Sequence, residues 1–133
     1  MKKTILSITI FICAIFSQAQ TQSSNAQPKI YVEKNTIEYG IITKGADGNR
    51  SIKIYNKGNA PLLITNCSAP CGCTTPACPR EPIMPGQLAT VTVHYNTNLV
   101  GNFSKNFSIM SNDPDKPGLE IIIKGEVKEI LKD

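Results

Sequence analysis

The residues with the clearest potential for chemistry are four cysteines in one short segment. Cys67, Cys71, Cys73 and Cys78 lie within twelve residues, inside the sequence NCSAPCGCTTPACPREPIMP at 66–85. Sulfur atoms this close along a chain can bond to one another or share a metal ion, because both arrangements need only a short reach. The segment therefore predicts either disulfides or a thiolate site, and the rest of the chain offers little other chemistry.

Disulfide bonding is the first interpretation of these cysteines. An even number of cysteines in a short domain favours it in an oxidising compartment, and four cysteines allow three connectivities. We prefer the pairing of Cys67 with Cys78, which leaves Cys71 and Cys73 as a second, close pair. In the chain-entropy model, closing the twelve-residue loop from Cys67 to Cys78 would stabilise the fold by about 3 kcal/mol.

Two other chemistries remain open for Cys71 and Cys73. The single glycine between them lets both sulfurs face the same way and would give a small, strained ring, and strained disulfides are the readily reduced ones. Against such exchange, the chain lacks the C-x-x-C spacing at a helix N-terminus that activates a thiol. Two thiolates also suit Cu(I) and four suit Zn²⁺, although the spacing C-x₃-C-x-C-x₄-C matches no common zinc site.

The remaining polar side chains do not predict an enzyme. His94 is the only histidine of the chain, and strand alternation places it on a polar face. With no evident nucleophile partner for it, a Ser-His or Cys-His catalytic pair is poorly supported. Asp113 and Asp115 bracket Pro114 in a dense turn signal, which indicates turn closure and not calcium binding. We therefore expect no catalytic residue and no cofactor.

The N-terminus has the features of a secretory signal peptide. Two lysines follow Met1, an apolar run of twelve residues covers 5–16, and Ser-Gln-Ala ending at Ala19 supplies the small residues that signal peptidase requires. The run is shorter than the roughly 20 apolar residues of a transmembrane helix. We predict that residues 1–19 are removed together with Cys13, which leaves no transmembrane segment and a periplasmic or secreted product.

Charge and composition argue against a nucleic-acid partner. The formal net charge of +4 falls to +2 when the two lysines of the signal peptide are removed. The basic residues of the remaining chain are scattered along the sequence, whereas nucleic-acid binding needs them clustered on one face. The expected partner is thus an unknown protein or another component of the cell envelope.

Alternating polar and apolar residues predict an all-β domain at 29–130. Residues 20–28 are polar without large apolar side chains, so we expect a disordered spacer there. The domain shows short period-two segments separated by turn residues and no apolar spacing of helical period, which predicts an antiparallel β-sandwich of seven to eight short strands. Gly40 inside one strand indicates a bulge or a close approach of another segment, and five prolines restrict 66–85 to loop or edge strand.

Several short motifs resemble a bacterial family of exported Ig-like domains of unknown function. The motifs are Tyr39-Gly40-x-Ile42, Asn56-x-Gly58-x-x-Pro61-Leu62-x-Ile64, Cys71-Gly72-Cys73-Thr74, Ile83-x-Pro85-Gly86, Gly101-x-Phe103-x-Lys105 and Ser111-Asn112-Asp113. The similarity covers roughly Ile30 to Val127. It implies an Ig-like β-sandwich, similar in plan to the major sperm protein and to related cilia and spindle domains, and it implies no established activity. Cys67 and Cys78 look like additions to the Cys-Gly-Cys-Thr pattern of the family.

Together these features predict a small exported Ig-like domain that acts by contact, as a binding or structural module. The segment Cys67–Arg80 is its most distinctive surface. The alternative is a thiol protein that uses Cys71 and Cys73 for metal binding or for redox chemistry.

Overall fold

The chain folds as two four-stranded β-sheets packed face to face. The computed structural model describes residues 25–131, so the predicted signal peptide at 1–19 and most of the spacer at 20–28 lie outside the described residues. The strands are β1 (Ile30–Tyr31), β2 (Thr36–Thr43), β3 (Asn49–Asn56), β4 (Ile64–Ser68), β5 (Thr74–Ala77), β6 (Leu88–Tyr95), β7 (Gly101–Ser111) and β8 (Gly118–Lys128). The predicted all-β sandwich is confirmed.

The order of the strands places one parallel pair in a sandwich that was expected to be antiparallel. The first sheet has the order β1-β3-β6-β5 and the second β2-β8-β7-β4. Within the described range, β2 and β8 are parallel and the other strand pairs are antiparallel. The chain crosses from the first sheet to the second after β1, and β2 then runs beside β8 in the same direction.

The inward side chains of both sheets form a single apolar core. Strand alternation buries every second residue, as the period-two pattern predicts. Burying each side chain of this size contributes about 1.5–3 kcal/mol. The side chains with no exposed surface are Ile54, Leu62, Val91, Val93, Phe107, Ile109, Ile121 and Ile123.

Two side chains depart from simple alternation. The pairing of β2 with β8 is irregular between Glu38 and Gly40, and Gly40 has a φ of 68°, which confirms the bulge that this glycine predicts. The bulge changes the parity of the strand, so Ile41 is 68% exposed. Lys105 has inward parity within β7 and is nevertheless exposed, although the register with β8 is continuous around it.

Residues 25–131 contain no helix that is long and apolar enough to cross a membrane.

Candidate functional site

The segment Cys67–Arg80, called the cysteine loop below, connects the edge strands of the two sheets. β4 is the edge of the second sheet and β5 is the edge of the first, so the chain passes from one sheet to the other through residues 69–73. Pro76 lies within β5 opposite Val93, where an edge position tolerates a residue without an amide donor. The expectation of loop or edge strand for this segment is therefore confirmed.

Cys67 and Cys78 lie at disulfide distance and bring the two edge strands together. Their Cα atoms are 6.2 Å apart, with a sequence separation of 11. Cys67 belongs to β4 and pairs with Ile109 of β7, whereas Cys78 directly follows β5. Both side chains are half-buried and pack against the core. A bond between them links one sheet to the other at the edge of the sandwich.

Cys71 and Cys73 lie at disulfide distance within a tight turn at the end of the sandwich. Their Cα atoms are 5.2 Å apart. The main-chain N–H of Thr74 donates to the carbonyl of Cys71 at 3.2 Å, and the N–H of Asn96 donates to the carbonyl of Cys73 at 2.9 Å. Main-chain hydrogen bonds therefore hold this turn against the end of β6 independently of the sulfur atoms.

The two sulfurs of this turn have different surroundings. Cys73 packs against the core, and its Sγ lies 3.6 Å from Oγ1 of the buried Thr74. Cys71 is half-buried outside the core, and its Sγ accepts a hydrogen bond of 3.2 Å from the main-chain N–H of Cys73. The two cysteines of the pair therefore differ in their contacts, since Cys73 packs against the core and Cys71 does not.

A shallow cleft of about 500 Å³ runs beside the Cys67–Cys78 pair. Residues 64–67 of β4 line one wall and residues 76–80 line the other. Among the described residues that line it, Arg80 is the one charged side chain, and it is exposed. The cleft therefore combines the free edge of a strand with a single positive charge.

The other candidate residues take no part in the two cysteine pairs, although His94 lies opposite Thr75 of the cysteine loop in the pairing of β5 with β6. His94 is exposed, as its strand parity predicts, and its Nδ1 lies 3.2 Å from Oδ1 of Asn49. Asp113 lies at the opposite end of the sandwich, near the start of β1. In the part of the chain that the structure describes, no three His, Cys, Asp or Glu side chains are grouped so that they could hold a metal ion.

Asn56 organises that opposite end, and sequence reasoning did not single it out as a key polar residue. It is buried, and its Nδ2 donates to the carbonyls of Ala60 at 2.7 Å and Ile83 at 2.8 Å. Its Oδ1 accepts the N–H of Gly58 at 2.9 Å and of Lys29 at 3.3 Å. The Asn-x-Gly turn signal was visible in the sequence, but the partners at 29 and 83 depend on the fold.

Asp113 completes the same end of the sandwich. It is 2% exposed, and its Oδ2 accepts the N–H of Ile30 at 2.8 Å while Oδ1 accepts the N–H groups of Asp115 at 2.8 Å and Lys116 at 3.2 Å. Burial alone would raise the pKa of Asp113, but these N–H donors and the nearby Lys116 charge outweigh burial and hold the pKa below its usual value. The predicted turn closure by Asp113 is confirmed.

Solved structures with this fold come from proteins of several kinds. A protein of unknown function from Porphyromonas gingivalis W83 matches with a TM-score of 0.70 and 19% identity, over 82% of this chain and 51% of that one. The PapD-like domain 7 of human CEP192 matches with a TM-score of 0.65 and 9% identity, over 98% of this chain and 99% of that one.

A third match is a chain of the CsuC-CsuE chaperone-tip adhesion subunit pre-assembly complex of Acinetobacter baumannii. Its TM-score is 0.51 at 12% identity, over 77% of this chain and 58% of that one. At these identities the matches show the fold alone, an Ig-like or PapD-like sandwich. The chain spans about half the length of the Porphyromonas gingivalis protein.

The family comparison agrees with the motifs quoted above. No curated protein matches the chain. The model of a family described as "Protein of unknown function (DUF1573)" matches residues 30–127, the range over which the motifs occur. The chain therefore belongs to the DUF1573 family of proteins of unknown function.

Proposed function

We propose that this protein is an exported module that acts by contact, binding or positioning a protein partner in the periplasm or outside the cell. The observation that carries the proposal is the cleft between β4 and β5 beside the Cys67–Cys78 pair. A bond at that pair would keep both walls of the cleft in place, and rigidly held loops and strand edges are common docking surfaces.

The free edge of β4 is the part of the cleft best suited to an extended peptide. Within the described residues β4 pairs with β7 on one side, which leaves its other side open. The opposite wall contains Pro76 and Pro79, which have no amide donor, so β5 is a poorer template. A partner segment would add a strand to β4, and the Arg80 charge would favour an acidic side chain in that segment.

The lining of the cleft supports binding and not catalysis. General acid-base chemistry needs a titratable group that can change its protonation state near the pH of the reaction. When the Cys67–Cys78 bond is closed, Arg80 is the one charged side chain among the described lining residues, and none of them is a carboxylate or an imidazole. The proposal of a non-enzymatic role follows from this composition.

Export is part of the proposal and rests on the N-terminal pattern at 1–19 together with the two cysteine pairs at disulfide distance. The contact role has support by analogy from the chaperone-tip adhesion subunit complex among the fold matches, since that protein is found with a protein partner. Protein isolated from the cell envelope should begin at Gln20. A first residue of Met1 in that material would contradict the predicted cleavage.

The contact role is tested by affinity capture from the cell envelope under non-reducing conditions. The variants Thr65→Glu and Arg80→Glu place a negative charge on opposite walls of the cleft, and Lys53→Glu on the exposed face of β3 is the matched control. We expect a partner that the native protein and Lys53→Glu retain and that both cleft variants bind at least about tenfold more weakly. Equal capture by all four proteins would refute the cleft as the binding surface.

A further inference from the structure

We propose that Cys71 and Cys73 form an exchangeable disulfide that accepts two electrons from a dithiol, while the bond between Cys67 and Cys78 stays closed. The substrate class is a dithiol, either a pair of thiols on an exported protein or a small molecule. This activity goes beyond the contact role and does not depend on it, because the exchanging pair lies in the turn and not among the residues that line the cleft.

The turn that carries the pair can persist in both redox states. The hydrogen bonds from Thr74 N–H to the Cys71 carbonyl and from Asn96 N–H to the Cys73 carbonyl involve main-chain atoms alone. Opening the bond between the sulfurs therefore removes neither of them. Since the turn keeps the two cysteines close, the bond can open and close without unfolding of the neighbouring strands.

A thiolate can approach the turn from solvent. Gly72 is exposed, and an added Cβ at Gly72 would meet no atom within 4 Å, so the space beside the residue that links the pair is open. Cys73 packs against the core, whereas Cys71 is half-buried and is not part of that packing. In-line attack on a disulfide needs access to one sulfur, and we assign that role to Cys71 because Cys73 packs against the core.

The hydrogen bonds assign different roles to the two cysteines. The N–H of Cys73 donates to Cys71 Sγ at 3.2 Å and would stabilise a thiolate there when the bond is open. Cys71 is thus the sulfur that forms the mixed disulfide. Cys73, beside the Thr74 hydroxyl, is the sulfur that leaves during reduction and resolves the mixed disulfide during oxidation.

Reduction proceeds in two balanced exchanges. One thiolate of the dithiol attacks Cys71 Sγ, a bond forms between those sulfurs, and the bond to Cys73 breaks with Cys73 leaving as a thiolate that takes up a proton. The second thiolate of the dithiol then attacks its partner sulfur in the mixed disulfide and releases Cys71, which is also protonated. The dithiol becomes a disulfide, and two electrons and two protons pass to Cys71 and Cys73.

The Cys67–Cys78 pair is placed where opening is unfavourable. Its half-buried sulfurs link the two sheets, and the bond closes a loop with a sequence separation of 11, against 2 for the other pair. Closure of a longer loop removes more conformational freedom from the unfolded chain, so this bond contributes more to stability. Reduction of the Cys67–Cys78 bond would therefore lower the stability of the fold more than reduction of the Cys71–Cys73 bond.

The first experiment uses the unaltered exported protein. It is equilibrated with mixtures of reduced and oxidised glutathione, alkylated, and mapped by peptide mass spectrometry. We expect Cys71 and Cys73 to become labelled at a ratio of reduced to oxidised glutathione at least about tenfold lower than the ratio that opens the Cys67–Cys78 bond. Opening of both bonds at the same ratio, or of Cys67–Cys78 first, would overturn the proposal.

The second experiment tests the two roles with the matched variants Cys73→Ser and Cys71→Ser. We expect Cys73→Ser to accumulate a mixed disulfide with glutathione on Cys71, and Cys71→Ser to form one on Cys73 at least about tenfold more slowly. Circular dichroism establishes that both variants are folded, and the first experiment does not depend on them. The proposal would be overturned if Cys73→Ser formed no mixed disulfide on Cys71. It would also be overturned if the reduced native protein bound Cu(I) and did not exchange with glutathione.

Discussion

The two ends of the sandwich use polar groups in opposite ways. At one end, Asn56 and Asp113 are buried, and every hydrogen bond that they make joins segments distant in the chain or closes a turn. At the other end, the turn of Cys71 and Cys73 is held by two main-chain bonds and faces open space at Gly72. The buried groups of the first end stabilise the fold, whereas the second end is held by main-chain bonds and carries the cysteine pair for which exchange is proposed.

This contrast separates the family motifs by role. The motifs around Asn56 and Ser111-Asn112-Asp113 hold the β1, β3, β4 and β7 segments together, because Asn112 also bonds the main chain at Pro61 and Leu63. Such residues explain the fold without indicating an activity. The Cys-Gly-Cys-Thr motif contributes fewer structural bonds, and a functional interpretation is therefore better placed there.

The largest expected effect comes from replacing Asn56 with alanine. The change removes four hydrogen bonds, of which the one to the Ile83 carbonyl is buried and the other three are part-buried. A donor or acceptor left unpaired away from water costs about 1–3 kcal/mol. We expect the free energy of unfolding to fall by about 3–5 kcal/mol in urea denaturation. The exposed Asn98→Ala is the control and should change it by less than about 0.5 kcal/mol. A loss as small as that of the control would remove the contrast between the two ends.

The next effect is expected from Cys67→Ser combined with Cys78→Ser. Removing this link between the sheets should lower the free energy of unfolding by about 3 kcal/mol, because the unfolded chain regains the freedom of the closed loop. Urea denaturation of the native protein with and without reductant gives an independent value. Free thiols at both positions in material from the cell envelope would refute the pairing.

A smaller effect, dependent on pH, is expected from Asp113→Asn. Since the pKa of Asp113 is lowered in the folded state, its stabilisation is present above the unfolded pKa of about 3.9 and is lost as the pH falls through the folded pKa. The variant should lose about 1–2 kcal/mol at pH 7 and show a weaker loss of stability on acidification. Asp115→Asn, whose carboxylate lies outside this set of hydrogen bonds, is the control, and equal pH profiles would contradict the assignment.

The smallest effect on stability is expected from Cys71→Ser combined with Cys73→Ser. The main-chain bonds of the turn remain, and the closed ring is short, so the free energy of unfolding should fall by less than about 1.5 kcal/mol. The comparison with the Cys67 and Cys78 double variant under the same conditions gives the sharpest test. A larger loss from the turn than from the link between the sheets would reverse the roles assigned to the two pairs.

Much of the fold could be predicted from local patterns. The alternation in β6 predicts the burial of Val91 and Val93, and the prolines of the cysteine loop predict a loop or an edge strand, since both signals act within a few residues. The alternation of polar and apolar residues in β2 could not predict that Ile41 is exposed, because the shift in parity depends on how the bulge at Gly40 pairs with β8. The role of Asn56 was hidden for the same reason, as its partner Ile83 lies 27 residues away.

The sequence by itself determined the all-β class, the strand-forming segments and the presence of a proline-rich segment with four cysteines, because side-chain period and backbone chemistry are local properties. Only the tertiary structure decided that β2 runs parallel to β8, that Asp113 reaches Ile30 over 83 residues, and that Cys67 meets Cys78 between the sheets. These contacts depend on the order of strands in two packed sheets, and that order is set by the burial of the whole core at once.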